Sequence, residues 1–231
     1  MMIMDTASAR ILARLNTAFY REQSVAFSAS RQAPWAGWRR CLQETNNFGI
    51  KAVEKPQNCS STPFSVFDLA CGNLRFEAFL QVELPLVDFN FHTLDNCDGL
   101  VASCGNSANL ASHQHLDVLA ALFSGCSLSS QIMAPACDLS VAFGFMHHLP
   151  LPEQRAEVLH SLVQQTKPGG YIVASFWCFA ADPAFLSKSQ PSQDAAIGEL
   201  GLKAGCLADG DYLLGWQGKA GVYRYCHSFN D

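Results

Sequence analysis

Apolar residues recur at helical spacing through TASARILARLNTAFYREQSVAFSASR, where Ile11, Leu12, Leu15 and Phe19 share one face and Thr6 or Ser8 is placed to cap the start. A second, shorter helix is predicted after Pro34, presenting Trp35, Trp38, Cys41 and Leu42. Residues 52–63, with two prolines among polar neighbours, read as a loop. From Phe64 the pattern alternates between apolar strands and helices. SVFDLA is a strand and Asn73 to Leu80 a helix; FNFHTLD is a strand and NCDGLVASCG a short helix. HQHLDV is a weak third strand and CDLSVAFGF a strong fourth; PEQRAEVLHSLVQQTKPGG is a helix closed by its Pro-Gly-Gly turn, and YIVASFWCF is a fifth strand. Strands of this kind build a parallel sheet covered by helices on both faces. Such sheets bind ligands beyond the carboxyl ends of their strands.

Composition narrows the class. Of 231 residues 49% are hydrophobic and 15% charged, which excludes a disordered or fibrous chain. No apolar run approaches the roughly 18 residues that span a bilayer, and MMIMDTASARILARL lacks the apolar stretch and cleavage site of a signal peptide, so a cytoplasmic protein off the membrane is expected. The ten cysteines never form CxxC, which argues for small buried hydrophobes and against a metal site. The net charge of −5 is uneven: residues 1–56 carry eight Lys/Arg against four Asp/Glu, and the remainder carries seven against sixteen. An anionic ligand would meet the N-terminal part first, unless these are ordinary solvated charges.

The strand ends carry the candidate chemistry. The first runs Asp68-Leu-Ala70-Cys-Gly72-Asn, through which no G-x-G-x-x-G can be read, and no P-loop lysine follows. The second ends at Asp95 and Asn96, where an acid can accept from the two hydroxyls of a ribose. The third ends at Asp117-Val118, which would face an adenine edge, and the fourth opens on an aromatic wall at Phe143-Gly-Phe-Met-His147-His148. An Asp closing a strand also serves as a helix N-cap, and for Asp95 and Asp117 that alternative stands beside the binding one. Together the four ends suggest an adenosine site without a diphosphate.

In this order the four ends resemble the class I S-adenosylmethionine-dependent methyltransferases over residues 64–179. The stretches FYREQSVAFSASRQAPWAGW, FDLACGNLRF and VAFGFMHHLP with KPGG further resemble the branch of tRNA wobble-uridine carboxymethyl methyltransferases and its uncharacterised bacterial relatives. The resemblance implies an α/β, Rossmann-like, mostly parallel sheet with an N-terminal helical cap over residues 1–56 and a cofactor-binding domain over residues 57–231. It implies S-adenosylmethionine as cofactor. The loop around its methionine part would be Asp68, Ala70 and Gly72, with Asp68 holding loop amides or meeting the ammonium through water. Tyr20, Phe27, Arg31 and Trp35 would be the closing cap, although an aromatic stripe on a helix is also ordinary core. Arg31, a guanidinium among apolar neighbours, calls for a carboxylate or phosphate.

Two departures stand out. Ala70 and Leu74 occupy positions where the family commonly has glycine; Leu74, unsuited to a left-handed backbone, is expected to begin the helix and point into the sheet. GDYLLGWQ and RYCHSF resemble segments that follow strand five, with a final helix and strand pair expected after them, so the domain is completed differently or the chain is a fragment. His147 and His148 are the candidate general bases, the alternative being that one packs and the other caps the next helix. The acceptor is a tRNA nucleoside or a small molecule; the altered loop would also suit a non-catalytic cofactor-binding or partner-activating module.

Overall fold

The computed structural model describes residues 4–50, 62–102, 110–203 and 205–230. Most of the loop expected over residues 52–63, and the boundary expected at 56/57, lie outside them. Five strands form one parallel sheet: β1 (Phe64–Leu69), β2 (Phe89–Asp95), β3 (Leu110–His115), β4 (Cys137–Ala142) and β5 (Thr166–Ala174), in the order β3-β2-β1-β4-β5. Strand order reverses at β1, so the crevice lies beyond the carboxyl ends of β1 and β4. Alternation along β1 sends Phe67 and Leu69 to one core with Leu94, Met146 and Leu162, and Val66 to a second with Phe91, Val141 and Phe79. Both faces are therefore apolar and both are covered by helices, which makes the sheet Rossmann-like. Each fully buried side chain of this size contributes about 1.5–3 kcal/mol.

Helices α1 (Thr6–Ala29) and α2 (Ala36–Glu44) form the expected N-terminal segment. Asp5, rather than Thr6 or Ser8, caps α1, its carboxylate accepting from the Ser8 backbone N–H at 2.8 Å. The sheet helices are α3 (Arg75–Glu83), α4 (Asp98–Ala102), α5 (Val118–Ala121) and α6 (Pro152–Gln164). The third strand starts and ends three residues earlier than predicted. Thr166 to Gly170 enter β5 instead of closing α6 as a turn. Pro168 is tolerated there because β5 is the outer strand of the sheet, where a missing N–H breaks no ladder on the free side.

After β5 the chain forms α7 (Pro183–Glu199) and an antiparallel pair, β6 (Asp211–Trp216) and β7 (Lys219–His227), as a separate two-stranded sheet. GDYLLGWQ and RYCHSF thus themselves form a strand pair, and a helix precedes them. The pair does not extend the main sheet. It packs Leu213, Tyr223 and Tyr225 against Ala9 and Leu12 of α1 and Ala196 of α7, a third core. No helix among the described residues is long and apolar enough to cross a membrane.

Candidate active site

The turn after β1 is built from three left-handed residues in five: Ala70 (φ 61°), Gly72 (φ 59°) and Leu74 (φ 56°). Leu74 therefore adopts the conformation thought closed to it, standing just before α3 instead of beginning it. For an L-residue this costs about 1–2 kcal/mol, and the neighbourhood compensates. The Leu74 side chain is buried, and its N–H donates to the Cys71 carbonyl. Cys71 N–H donates to Leu94 O, and Gly72 N–H donates to Asp95 Oδ2 at 2.8 Å. Asn73 Nδ2 donates to Ser28 Oγ and to Arg31 O, tying the turn to the end of α1. A Cβ built on Gly72 meets nothing within 4 Å, so the turn borders open space.

That space is a cleft of about 1060 Å³, its open mouth included. The residues singled out as candidates line it: Tyr20 and Arg31 from α1 and the segment after it; Asp68, Ala70 and Gly72 around the turn; Asp95 and Asn96 at the end of β2; Asp117 and Val118 after β3; and Phe143, His147 and His148 after β4. Phe27 and Trp35 line it too. Gly144 (φ +67°) lets the wall pass under Trp35, whose Cη2 would stand 3.0 Å from a Cβ there.

Several roles differ from expectation. Asp95, not Asp68, holds the loop amide; its second oxygen accepts from Cys97 N–H at 2.8 Å, which leaves each oxygen one further lone pair. Burial raises the Asp95 pKa while these amides oppose the rise. Asp117 uses one lone pair of each oxygen, on the Ala120 N–H as cap of α5 and on the Thr17 hydroxyl of α1, so like Asp95 it keeps one on each for a ligand.

The two histidines are buried. His148 Nδ1 lies 3.0 Å from the Tyr225 carbonyl and 3.1 Å from the Asn16 amide nitrogen, and Nε2 lies 2.7 Å from the Tyr20 hydroxyl. Asn16 braces this arrangement by pairing with both backbone groups of Tyr225. Burial pulls His148 down to about 3, the Arg224 charge adding to the effect; burial, His148 and Arg224 hold His147 well below the usual imidazole range. His147 stacks on Trp177 at 4.2 Å, and its Nδ1 has no partner. Neither ring caps the next helix. Burial likewise pushes the Tyr20 phenol up to about 12. His147, His148 and Cys226 bring their donor atoms within 4.8 Å of one another, the one such grouping among the described residues. The neighbouring guanidinium opposes a second cation there.

Sequence reasoning missed Arg224. It lies on β7, is 8% exposed, and contacts the rings of Phe19, Trp177 and Trp216 with no carboxylate partner among the described residues. Its Nε is buried without a hydrogen bond. Among the described residues the Arg31 guanidinium bonds only to Ser30, and it lies over Phe27; the Arg75 guanidinium bonds to Asn73 and Ala33 O and lies over Trp35 and Trp38. Burial lowers the pKa of Arg31, helped by Arg224, and that of Arg75 to about 10, helped by Arg31. Three guanidiniums, Arg31 within electrostatic reach of the other two, thus border the cleft with no ion-pair partner among the described residues.

No protein-family profile matches the chain. A protein of Encephalitozoon cuniculi (strain GB-M1) named "Putative methyltransferase" is 27% identical over 214 residues, which take in 91% of this chain and 78% of that one. Among solved structures, a sugar N-methyltransferase from Streptoalloteichus sp. ATCC 53650 is 15% identical over 68% of this chain and 55% of its own, with a TM-score of 0.45. The plantazolicin methyltransferase in complex with SAH is 17% identical over 74% and 60%, TM-score 0.43. An O-methyltransferase family protein from Burkholderia thailandensis is 13% identical over 93% and 63%, TM-score 0.44. The chain spans 55–63% of the length of these solved chains.

Proposed function

We propose that the protein is an S-adenosylmethionine-dependent methyltransferase whose acceptor is a small anionic molecule. The cofactor reading is supported by the turn after β1, Asp95 and Asp117-Val118 meeting in one cleft, and by the name of the Encephalitozoon relative. The cofactor supplies an activated methyl group; the protein aligns the acceptor and excludes water. Asp95 keeps one lone pair on each oxygen for ribose hydroxyls while fixing the loop, and Tyr20, Phe27, Arg31 and Trp35 close over it.

The acceptor reading rests on one observation: the buried guanidinium of Arg224 has no carboxylate partner among the described residues. A charge held this way is costly unless a ligand completes it. Both histidines are kept neutral and His148 has both nitrogens engaged, so the site favours an acceptor that arrives already ionised. His148 then orients Tyr20 rather than taking a proton from the substrate. Calorimetric titration with S-adenosylmethionine and S-adenosylhomocysteine, with Asp95→Ala as control, tests the cofactor; absence of heat with the wild type would defeat it. Transfer of labelled methyl to carboxylic acids but not to their amides supports the acceptor reading. Transfer to tRNA with affinity falling steeply with salt would replace it by the nucleic-acid one.

A further inference from the structure

Behind Asp68 stands a second carboxyl that the proposed chemistry does not use. Asp68 closes β1 and lines the cleft, whereas Glu77 lies in the first turn of α3, sealed from solvent. Asp68 Oδ1 and both Glu77 oxygens are buried, and no donor reaches them. Neither acid meets a lysine or arginine in an ion pair among the described residues. Three acceptor oxygens without one hydrogen between them are unstable in a dry site, and two facing carboxylates do not both ionise there.

We infer that Asp68 and Glu77 hold one proton between them, and that a ligand ammonium entering beside Asp68 releases it. This rests on the cofactor reading, since the aminoacyl end of S-adenosylmethionine supplies such a group. The surroundings leave the proton no better partner. From β2, Asp95 adds negative charge and Thr93 a hydroxyl; from the turn, burial keeps the Cys71 thiol neutral; His113 of β3 bears on Asp95 rather than on the pair. Burial, then the neighbouring acids, raises Asp68 well above the carboxylate range, and burial raises Glu77 to about 7. An arriving cation favours the doubly ionised pair, and the proton passes to buffer. Glu77 is thus a positioning residue: it holds the Asp68 carboxyl toward the cleft and sets the pH at which the cation is accepted.

Calorimetry of S-adenosylhomocysteine, which carries the ammonium but no sulfonium, is run at pH 7 in phosphate and in Tris, whose ionisation heats differ. With one proton held between the two acids and none once the cation has entered, about one proton is expected to leave per ligand bound. Glu77→Gln, whose amide can donate to Asp68, is expected to bind with no buffer dependence. Equal heats in both buffers for the wild type, or unchanged proton release in Glu77→Gln, would overturn the inference. If the wild type gives no heat at all, the cofactor reading fails. The shared proton is then read without ligand from the infrared band of a protonated carboxyl at pH 6, expected in the wild type and missing in Glu77→Gln. Its absence from the wild type would overturn the pair as well.

Discussion

Replacing Arg224 by methionine should stabilise the ligand-free protein while disabling it. The guanidinium is 8% exposed, has no carboxylate partner among the described residues and leaves Nε unbonded. An unsatisfied buried donor costs about 1–3 kcal/mol, and desolvating the charge adds several more. Against this, three rings 5.4–5.6 Å away return about 0.5–1 kcal/mol each, since they lie near the outer limit of such contacts. Methionine keeps the apolar stem and gives its sulfur to the same rings at about 0.3–1.5 kcal/mol, so most of that return survives. The balance is a gain of about 2 kcal/mol, or about 4–8 °C in the melting temperature of a chain this size. Thermal unfolding followed by circular dichroism measures it. Methyl transfer to the anionic acceptor should fall about 100-fold in kcat/KM, the scale of losing one partner of a desolvated charge pair. Arg224→Lys should recover part of the activity and none of the stability. A lower melting temperature for Arg224→Met would refute the idea of a guanidinium held in reserve for a ligand.

Three further outcomes are expected. Ala70→Gly should raise stability by up to about 1 kcal/mol by relieving a left-handed alanine, whereas Leu74→Gly should lower it by about 2 kcal/mol or more because the side chain is buried; denaturant melts separate the two. Gly144→Ala should weaken cofactor binding severalfold, because its methyl displaces the Trp35 ring and the backbone is held at φ +67°; titration calorimetry reads the loss. Ligand-free stability should fall as pH rises from 4.5 to about 7, since the unfolded chain loses the Glu77 proton at 4.5 and the folded one keeps it to about 7. The Glu77 part of the loss is about 3 kcal/mol and should be missing in Glu77→Gln, where only the part from Asp68, itself raised by burial, remains, as measured by denaturant midpoints across that range.

The sheet was largely legible because β1, β2 and β4 are buried on both faces and read as apolar runs ending in acids or aromatics. Lys167-Pro-Gly-Gly looked like a turn because proline and glycine are read locally, while their place in β5 depends on its being an outer strand. Leu74 was misjudged for a similar reason: intrinsic backbone preference points one way, and burial with the Asp95 and Asn73 anchors points the other. Most cleft residues were found because they lie at or just after the carboxyl ends of strands, and Tyr20, Phe27, Arg31 and Trp35 because of the family resemblance. Arg224 was not, although the reasoning that raised Arg31, a guanidinium among apolar neighbours, applies equally between Tyr223 and Tyr225. Glu77 carried no such signal, since an acid in the first turn of a helix is normally a solvated partner of its dipole.

The contacts between α1 and β7 bear on the order in which the molecule acquires its parts. Asn16 and Tyr225 are 209 residues apart in the chain, and through His148 they fix Tyr20 at the mouth of the cleft. Contacts so distant in sequence close the largest loop of the fold, and such loops form late. The parallel sheet with the turn after β1 assembles from neighbouring segments, while the Arg224 side of the cleft waits for the two ends to meet. A nascent chain would therefore hold the turn after β1 before the cleft is complete, and the proposed activity would arrive only once β7 has docked.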